Sequence, residues 1–402
     1  MRFLFLWLTG LLLAAPVAQA QDLHKTLQRQ FILAEAGDTI RIPAGTYRLP
    51  GSLSMDDKEN IVIMGAGVDA TILSFKGQKE GAEGIRITNC RNIQVRDLSL
   101  QDARGDLIKV MDTDGITFAH MRTEWTGRPQ KTNGAYGFYP VSCTNVLIEY
   151  CEAIGASDAG IYVGQSHNIV VRHCRAYHNV AGIEIENSTI ADVHDCEASQ
   201  NTGGILVFDL PDLPKGQGGN VRVYNNRVVD NNYRNFAPKG NIVGVVPPGT
   251  GVIILATKDV EVYNNEILDH RTASTAIISY YMTGIKIQDE DYDPYPTRIF
   301  VHDNQYESSN RKPTLKNKLG VLLLAKFGKK VPHILYDGIL DPERIGADGQ
   351  LPESDRICIR NNGAATFANL DAEHDFKNIS RDLAPYDCTR TSLKAPSISF
   401  SH

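Results

Sequence analysis

Several features that would point directly to a chemistry are missing from this chain of 402 residues. Its seven cysteines include no C-x-x-C pair, and no histidine and cysteine spacing of the zinc-site kind occurs anywhere. Positive charge is not in excess: 41 lysines and arginines stand against 47 aspartates and glutamates, a formal net charge of −6. That mild acidity argues against a nucleic-acid or anionic-membrane surface. It argues more weakly against an extended polyanion groove, where a local basic patch can override the average. After residue 20 no apolar run is long enough to span a bilayer. Met64 to Thr71 contains Gly65-x-Gly67, but strand-type residues Thr71, Ile72 and Leu73 follow where a nucleotide loop would open a helix. The acidic group Asp289, Glu290, Asp291 and Asp293 could hold a hard cation such as calcium. It lacks any calcium-loop spacing, and a solvated loop is the simpler account; no other cofactor is indicated.

What is present begins with MRFLFLWLTGLLLAAPVAQA, one positive charge, an apolar run of secretory length, and Ala18-x-Ala20 before Gln21. This predicts a cleavable signal at 1–20 and an exported protein, periplasmic or secreted. No cysteine follows for lipidation, so a membrane anchor is the weaker reading.

The stretch from Ala159 to Val207 organises the rest. Gly160, Gly182 and Gly204 fall 22 residues apart, Cys174 and Cys196 share that spacing, and Ile161 and Val163 recur as Ile183 and Ile185, then Ile205 and Val207. A fixed repeat of this length means stacked supersecondary units. Within each unit apolar residues alternate, which is strand periodicity. Each unit is therefore a coil of short strands that buries its inward side chains only when another coil lies on it, at the ~4.8 Å strand spacing. Like then stacks on like. Cys151, Cys174 and Cys196 form one column, which Asn226, Asn265, Asn304 and Asn362 continue. An asparagine amide can bond to copies above and below, and its backbone tolerates left-handed geometry.

The alternation, the G-I-x-V starts and the asparagine column resemble the right-handed parallel β-helix repeats of the pectin-lyase-like superfamily. LQRQFILAEAGDTIRIPAGTYRLPG, residues 27 to 51, is similar to the opening cap of those proteins. The resemblance implies an all-β, right-handed parallel β-helix solenoid with a short N-terminal capping helix, and a scaffold shared by lyases, hydrolases, epimerases and plain binding proteins. Residues 21–365 would form the β-helix domain with its cap and loop insertions, and 366–402 a tail packing on or capping it. Tyr136-Gly137-Phe138-Tyr139-Pro140 resembles the Y-G-F-D-P-H segment of mannuronan epimerases. Tyr139 stands where their aspartate would be and Val141 where their histidine would be. The catalytic pair is missing, so that activity does not carry over.

A cap helix over 22–34 would put Leu23, Leu27 and Phe31 on one face. Cys151, Cys174 and Cys196 read as reduced packing residues, whereas Cys358, between Ile357 and Ile359, should point outward and could be clamped to Cys388. A long irregular excursion is expected over 306–355. Insertions at 124–136 and 231–251 enter just before a strand of the first sheet, and those at 209–219 and around 288–297 leave after one. They should flank that sheet from both sides, where binding usually resides.

A constant five-residue separation between successive strands sets the register. It predicts an outward column Arg86, Lys109, Tyr139, Tyr162, Glu184, Leu206 and Ile253 on the first sheet. Two aromatics between a cation and a carboxylate can stack on sugar rings and bond their hydroxyls, so a polysaccharide or oligosaccharide is the expected partner. Glu184 or Asp158 would be general acid or base, with Lys109, Tyr162 and His178 as further catalytic candidates. Arg86, Tyr139, Trp125, Arg128 and Asp209 would bind substrate. Against this stands the plain reading of solvated sheet and turn residues. The functional alternatives are a lyase, epimerase or hydrolase, and a non-catalytic β-helix that binds glycan or a protein partner.

Overall fold

The computed structural model describes residues 15–347 and 349–398, so most of the expected leader lies outside the described residues. Coils stack through parallel pairing into two sheets, one of 11 strands and one of 19. A central coil gives one strand to the first and two short ones to the second, as with Ala181–Glu186, then Thr189–His194 and Glu197–Ser199. Like residues do stack: Phe138 pairs with Ile161, Ile161 with Ile183, Ile183 with Ile205 and Ile205 with Val252. All five are fully buried inside the solenoid. β-branched side chains suit this pleated interior, and each contributes about 1.5–3 kcal/mol by burial.

The cysteine column passes into the asparagine column through Cys196 N, which donates to Asn226 Oδ1 at 3.0 Å. Asn226, Asn265, Asn304 and Asn362 then form a ladder, the amide oxygens of Asn265, Asn304 and Asn362 each accepting the backbone N–H and Nδ2 of the asparagine one coil before. The left-handed residue is the one before the column. Tyr150, His173, Asp195, Asn225, Asn264, Asp303 and Asn361 all have φ between 52° and 55°. The column asparagine is chosen for its amide, and its predecessor makes the corner. A second, unforeseen ladder runs Asn179, Asn201, Asn231, with His270 replacing the amide at its end. Burial pushes His270 down to about 3, so it stays neutral and accepts from Asn231.

Helix α1, Ala15–Leu33, lays Leu27 and Phe31 on the first coil, with Leu23 partly buried beside them. At the other end the excursion at 306–355 is more ordered than expected. It holds helix α2, Lys318–Phe327, and a further strand of the first sheet, Ile334–Tyr336. The strand Phe367–Asn369 carries the solenoid slightly past residue 365. Cys358 and Cys388 form a disulfide, Cys358 being buried on the outside of its coil, and the five other cysteines are free and buried. Beyond Cys388 the tail runs back along the second sheet. Leu393 N donates to Glu261 Oε2, and Ser397 and Asn168 exchange two hydrogen bonds of 2.8 Å.

Candidate functional site

Along the first sheet the outward column pairs Arg86 with Lys109, Lys109 with Tyr139, Tyr162 with Glu184, Glu184 with Leu206 and Leu206 with Ile253. The Tyr139 and Tyr162 rings lie 5.0 Å apart, which closes the row. The face is not the open, solvated cleft expected of it. Glu184 is 1% exposed, and Tyr162 and Asp158 are 4% exposed. The segments between 231 and 249 and between 279 and 296 fold over the sheet, where Phe236, Val243, Val246, Tyr280 and Tyr292 form a second apolar cluster with Leu206 and Ile253. The sheet itself demands this cover, because four of its outward side chains, Leu206, Phe208, Ile253 and Leu255, are large and apolar. The surface stays open toward the N-terminal coils, where Arg86 is exposed and Lys109 and Tyr139 are half-buried.

At the edge of the cover, Tyr136 packs on Tyr139 at 4.4 Å and on Tyr162 at 4.6 Å, and Lys109 Nζ stands 4.8 Å from the centre of the Tyr139 ring. The Tyr162 hydroxyl donates to Glu186 Oε1 at 2.6 Å. It reaches that far because Gly164, paired with Glu186, has no side chain; a Cβ there would sit 2.1 Å from the Tyr162 hydroxyl. Asn241, from the covering segment, donates to Asp158 Oδ2 at 2.7 Å. Asp106 Oδ1 accepts from Tyr136 N at 3.3 Å. Neither oxygen of Glu184 has a hydrogen-bond partner among the described residues.

A carboxylate out of water and short of donors holds its proton. Burial, then the charges of Asp158 and Glu186, push the Glu184 carboxyl well above its ordinary range. Burial raises Asp158 to about 7, against the Asn241 hydrogen bond that lowers it. Glu186 is raised to about 6 by burial, with the Tyr162 hydrogen bond opposing, and Asp106 to about 6 by burial, with Lys109 opposing. Burial also lifts the Tyr139 phenol to about 12. The arrangement is a cluster of three tyrosine rings beside buried acids whose carboxyls are raised toward neutral pH.

The other candidates are placed differently. Asp209, 1% exposed, lies just beyond Phe208, the neighbour of Glu186, and burial raises it to about 7 against the Gly218 N–H and the charge of Lys258. His178 sits on a corner, its ring against Tyr177 and Tyr233. Trp125 is buried, with its indole N–H donating to Ala103 O at 2.9 Å, so it plugs the solenoid and is not available to substrate. Arg128 is exposed in its loop. In the acidic group, Asp293 is taken up by Lys258 and Arg344, and Asp289 accepts from the N–H groups of Asp291 and Asp212. Among the described residues no three His, Cys, Asp or Glu side chains converge as a metal cage. Four residues of the site escaped the sequence reading: Asp106, Tyr136, Glu186 and Asn241. Glu186 was within reach, standing two residues after Glu184 on the same outward parity, whereas nothing in the irregular 231–249 segment marked Asn241.

A family model described as "Right handed beta helix region" matches residues 60–212. The chain is a right-handed parallel β-helix. It is similar to the A-module of the mannuronan C-5 epimerase AlgE4 of Azotobacter vinelandii, with 15% identity over 86% of this chain and 90% of that one and a TM-score of 0.53. It is also similar to the N-terminal fragment of gene product 12 of bacteriophage Phi29, with 14% identity over 84% of this chain and 61% of that one and a TM-score of 0.51. At these identities the likeness concerns the fold. No curated protein matches this β-helix in sequence. Among the described residues no helix is long and apolar enough to cross a membrane.

Proposed function

We propose that this β-helix is an exported protein that processes polysaccharide by acid–base chemistry over the first sheet. The observation that carries the reading is the burial of Asp158, Glu184 and Glu186 against Tyr136, Tyr139 and Tyr162 on the outward face of a rigid sheet. A face that served only to stack coils would not bury acids without partners, since each costs stability and neither oxygen of Glu184 receives a hydrogen bond among the described residues. In the proposed reaction a sugar ring stacks on Tyr139, entering from the open side, with Lys109 balancing any carboxylate it carries. Asp158 or Glu184, protonated at neutral pH, gives its proton to the leaving or ring-adjacent oxygen, and Glu186, ionised above about 6, removes one, relayed through the Tyr162 hydroxyl. The Asn241 contact to Asp158 must open for this. The fold likeness to the A-module of a mannuronan C-5 epimerase supports this reading at the level of the scaffold.

The test is to incubate the protein with uronate and neutral polysaccharides and analyse for unsaturated, epimerised and shortened products. Product from the native chain that Glu184→Gln and Asp158→Asn each abolish supports the reading; its absence across both polymer classes overturns it. A second reading, a non-catalytic glycan-binding or accessory β-helix, is favoured by the 1% exposure of Glu184 and by Tyr139 and Val141 at the positions of the epimerase pair. It predicts tight glycan binding with no product and no dependence on Glu184.

A further inference from the structure

Residues 311–330 carry seven of the 41 positive charges of the chain and no acid, so the other residues hold 34 against 47. The average acidity thus conceals one cationic surface. Its core is α2, capped by Asn317, whose side chain accepts from Gly320 N at 2.8 Å. The inner face of α2, through Leu319, Leu323 and Phe327, packs on Ala276, Leu335 and Leu370 and so covers the C-terminal end of the first sheet. Aliphatic groups are exposed on its outer face and just before it. Val321 is 52% exposed and Leu315, just before the helix, 56% exposed. Lys312, Lys316 and Lys318 flank them along the chain and Lys329 and Lys330 follow the helix, all five exposed, and among the described residues none of the five makes an ion pair. Arg311, by contrast, is held by Asp230 and Asp269, and Lys326 donates to Phe376 O.

From this geometry we infer that α2 and its flanking lysines form a docking surface for an anionic phospholipid bilayer. Exposed aliphatic side chains flanked by exposed lysines match the boundary between acyl chains and phosphate headgroups: the aliphatic groups enter, and the ammonium groups reach back to the phosphates. The patch fits a dissolved polyanionic glycan less well, because it offers exposed aliphatic groups rather than an aromatic platform. Phe327 lies partly buried beneath the guanidinium of Arg381. Leu335 and Ala276 continue the column of Glu184 through Leu206 and Ile253, so the docking surface lies on the same side of the solenoid as the acids. A docked molecule would hold that face toward the membrane.

Sedimentation of the full chain with vesicles tests this directly. Vesicles of phosphatidylglycerol and phosphatidylcholine in equal parts should pellet the protein at low salt, and pure phosphatidylcholine vesicles should not. Each lysine neutralised among Lys318→Gln, Lys329→Gln and Lys330→Gln should weaken partitioning by about fivefold. The pair Leu315→Ser and Val321→Ser should weaken it by a further tenfold or so. All five side chains are exposed, and an unchanged melting temperature would show that the fold is kept. Binding indifferent to phosphatidylglycerol, or unchanged in the triple lysine variant, overturns the inference. So does equal retention by a soluble polyanionic glycan that the two serine substitutions leave untouched, which would make the patch a polyanion site.

Discussion

At Glu184 a carboxyl group occupies a position where the two neighbours along its column are Tyr162 and Leu206. Its side chain is fully desolvated, and replacing it by the isosteric amide removes a titration without removing volume. We expect Glu184→Gln to be folded and as stable as the native chain or more so at pH 8, while abolishing any product formation; thermal denaturation and product analysis on the same sample check both halves. Tyr162→Phe deletes the one side-chain donor that Glu186 has. It should raise the Glu186 carboxyl above its value of about 6 and cost about 1–3 kcal/mol, measurable by denaturant unfolding at pH 8. Much at this scale was legible beforehand. The outward parity of Lys109, Tyr139, Tyr162 and Glu184 followed from alternation, because a strand turns every second side chain to the same face. Their burial was not legible, because what covers them is decided by residues such as Asn241 and Phe236, far along the chain in a segment with no period.

Among the elements, the asparagine ladders hold successive coils in register at the corners. Asn265 accepts from Asn226 and donates to Asn304 and Val223, all within the buried interior. Asn265→Ala leaves several of these groups unsatisfied and should destabilise the chain by about 2–5 kcal/mol, read from chemical unfolding. The tail is an element of another kind. Its disulfide to Cys358 closes a loop of 30 residues, and Cys388→Ser should cost about 3–4 kcal/mol in the chain-entropy limit. Protease should then cleave the released segment beyond Asp387 first. The repeat of 22 made the coils readable because each side chain lands on its own kind one turn later. Helix α2 escaped, since L-G-V-L-L-L is a short apolar run with no period that separates helix from strand. The corner residues escaped for a different reason: many types, from Tyr150 to Asn361, take left-handed geometry here, so residue type does not mark the corner.

For the whole molecule, the acids on the first sheet make stability depend on pH in a direction opposite to ordinary surface carboxylates. Asp158 has its folded value raised from 3.8 to about 7, Glu186 from 4.5 to about 6 and Asp106 from 3.8 to about 6. Between those limits the folded chain holds protons that the unfolded chain has released. Their contribution is therefore fully present below about 4 and is lost as pH rises toward 7. For Asp158 alone the loss is on the order of 4 kcal/mol. Ordinary carboxylates shift stability the other way, so Asp158→Asn, compared with the native chain from pH 4 to pH 8, should gain relative stability steadily across that window.

Infrared difference spectroscopy of the protonated carboxyl band puts the buried acids to the most direct trial. At pH 7 the native chain should show a carboxylic-acid band that Glu184→Gln removes in part, with the remainder bleaching as pH passes through 7. A native chain with no protonated carboxyl at pH 7, or a band that Glu184→Gln leaves whole, would contradict a partnerless, proton-holding acid beneath the cover of the first sheet.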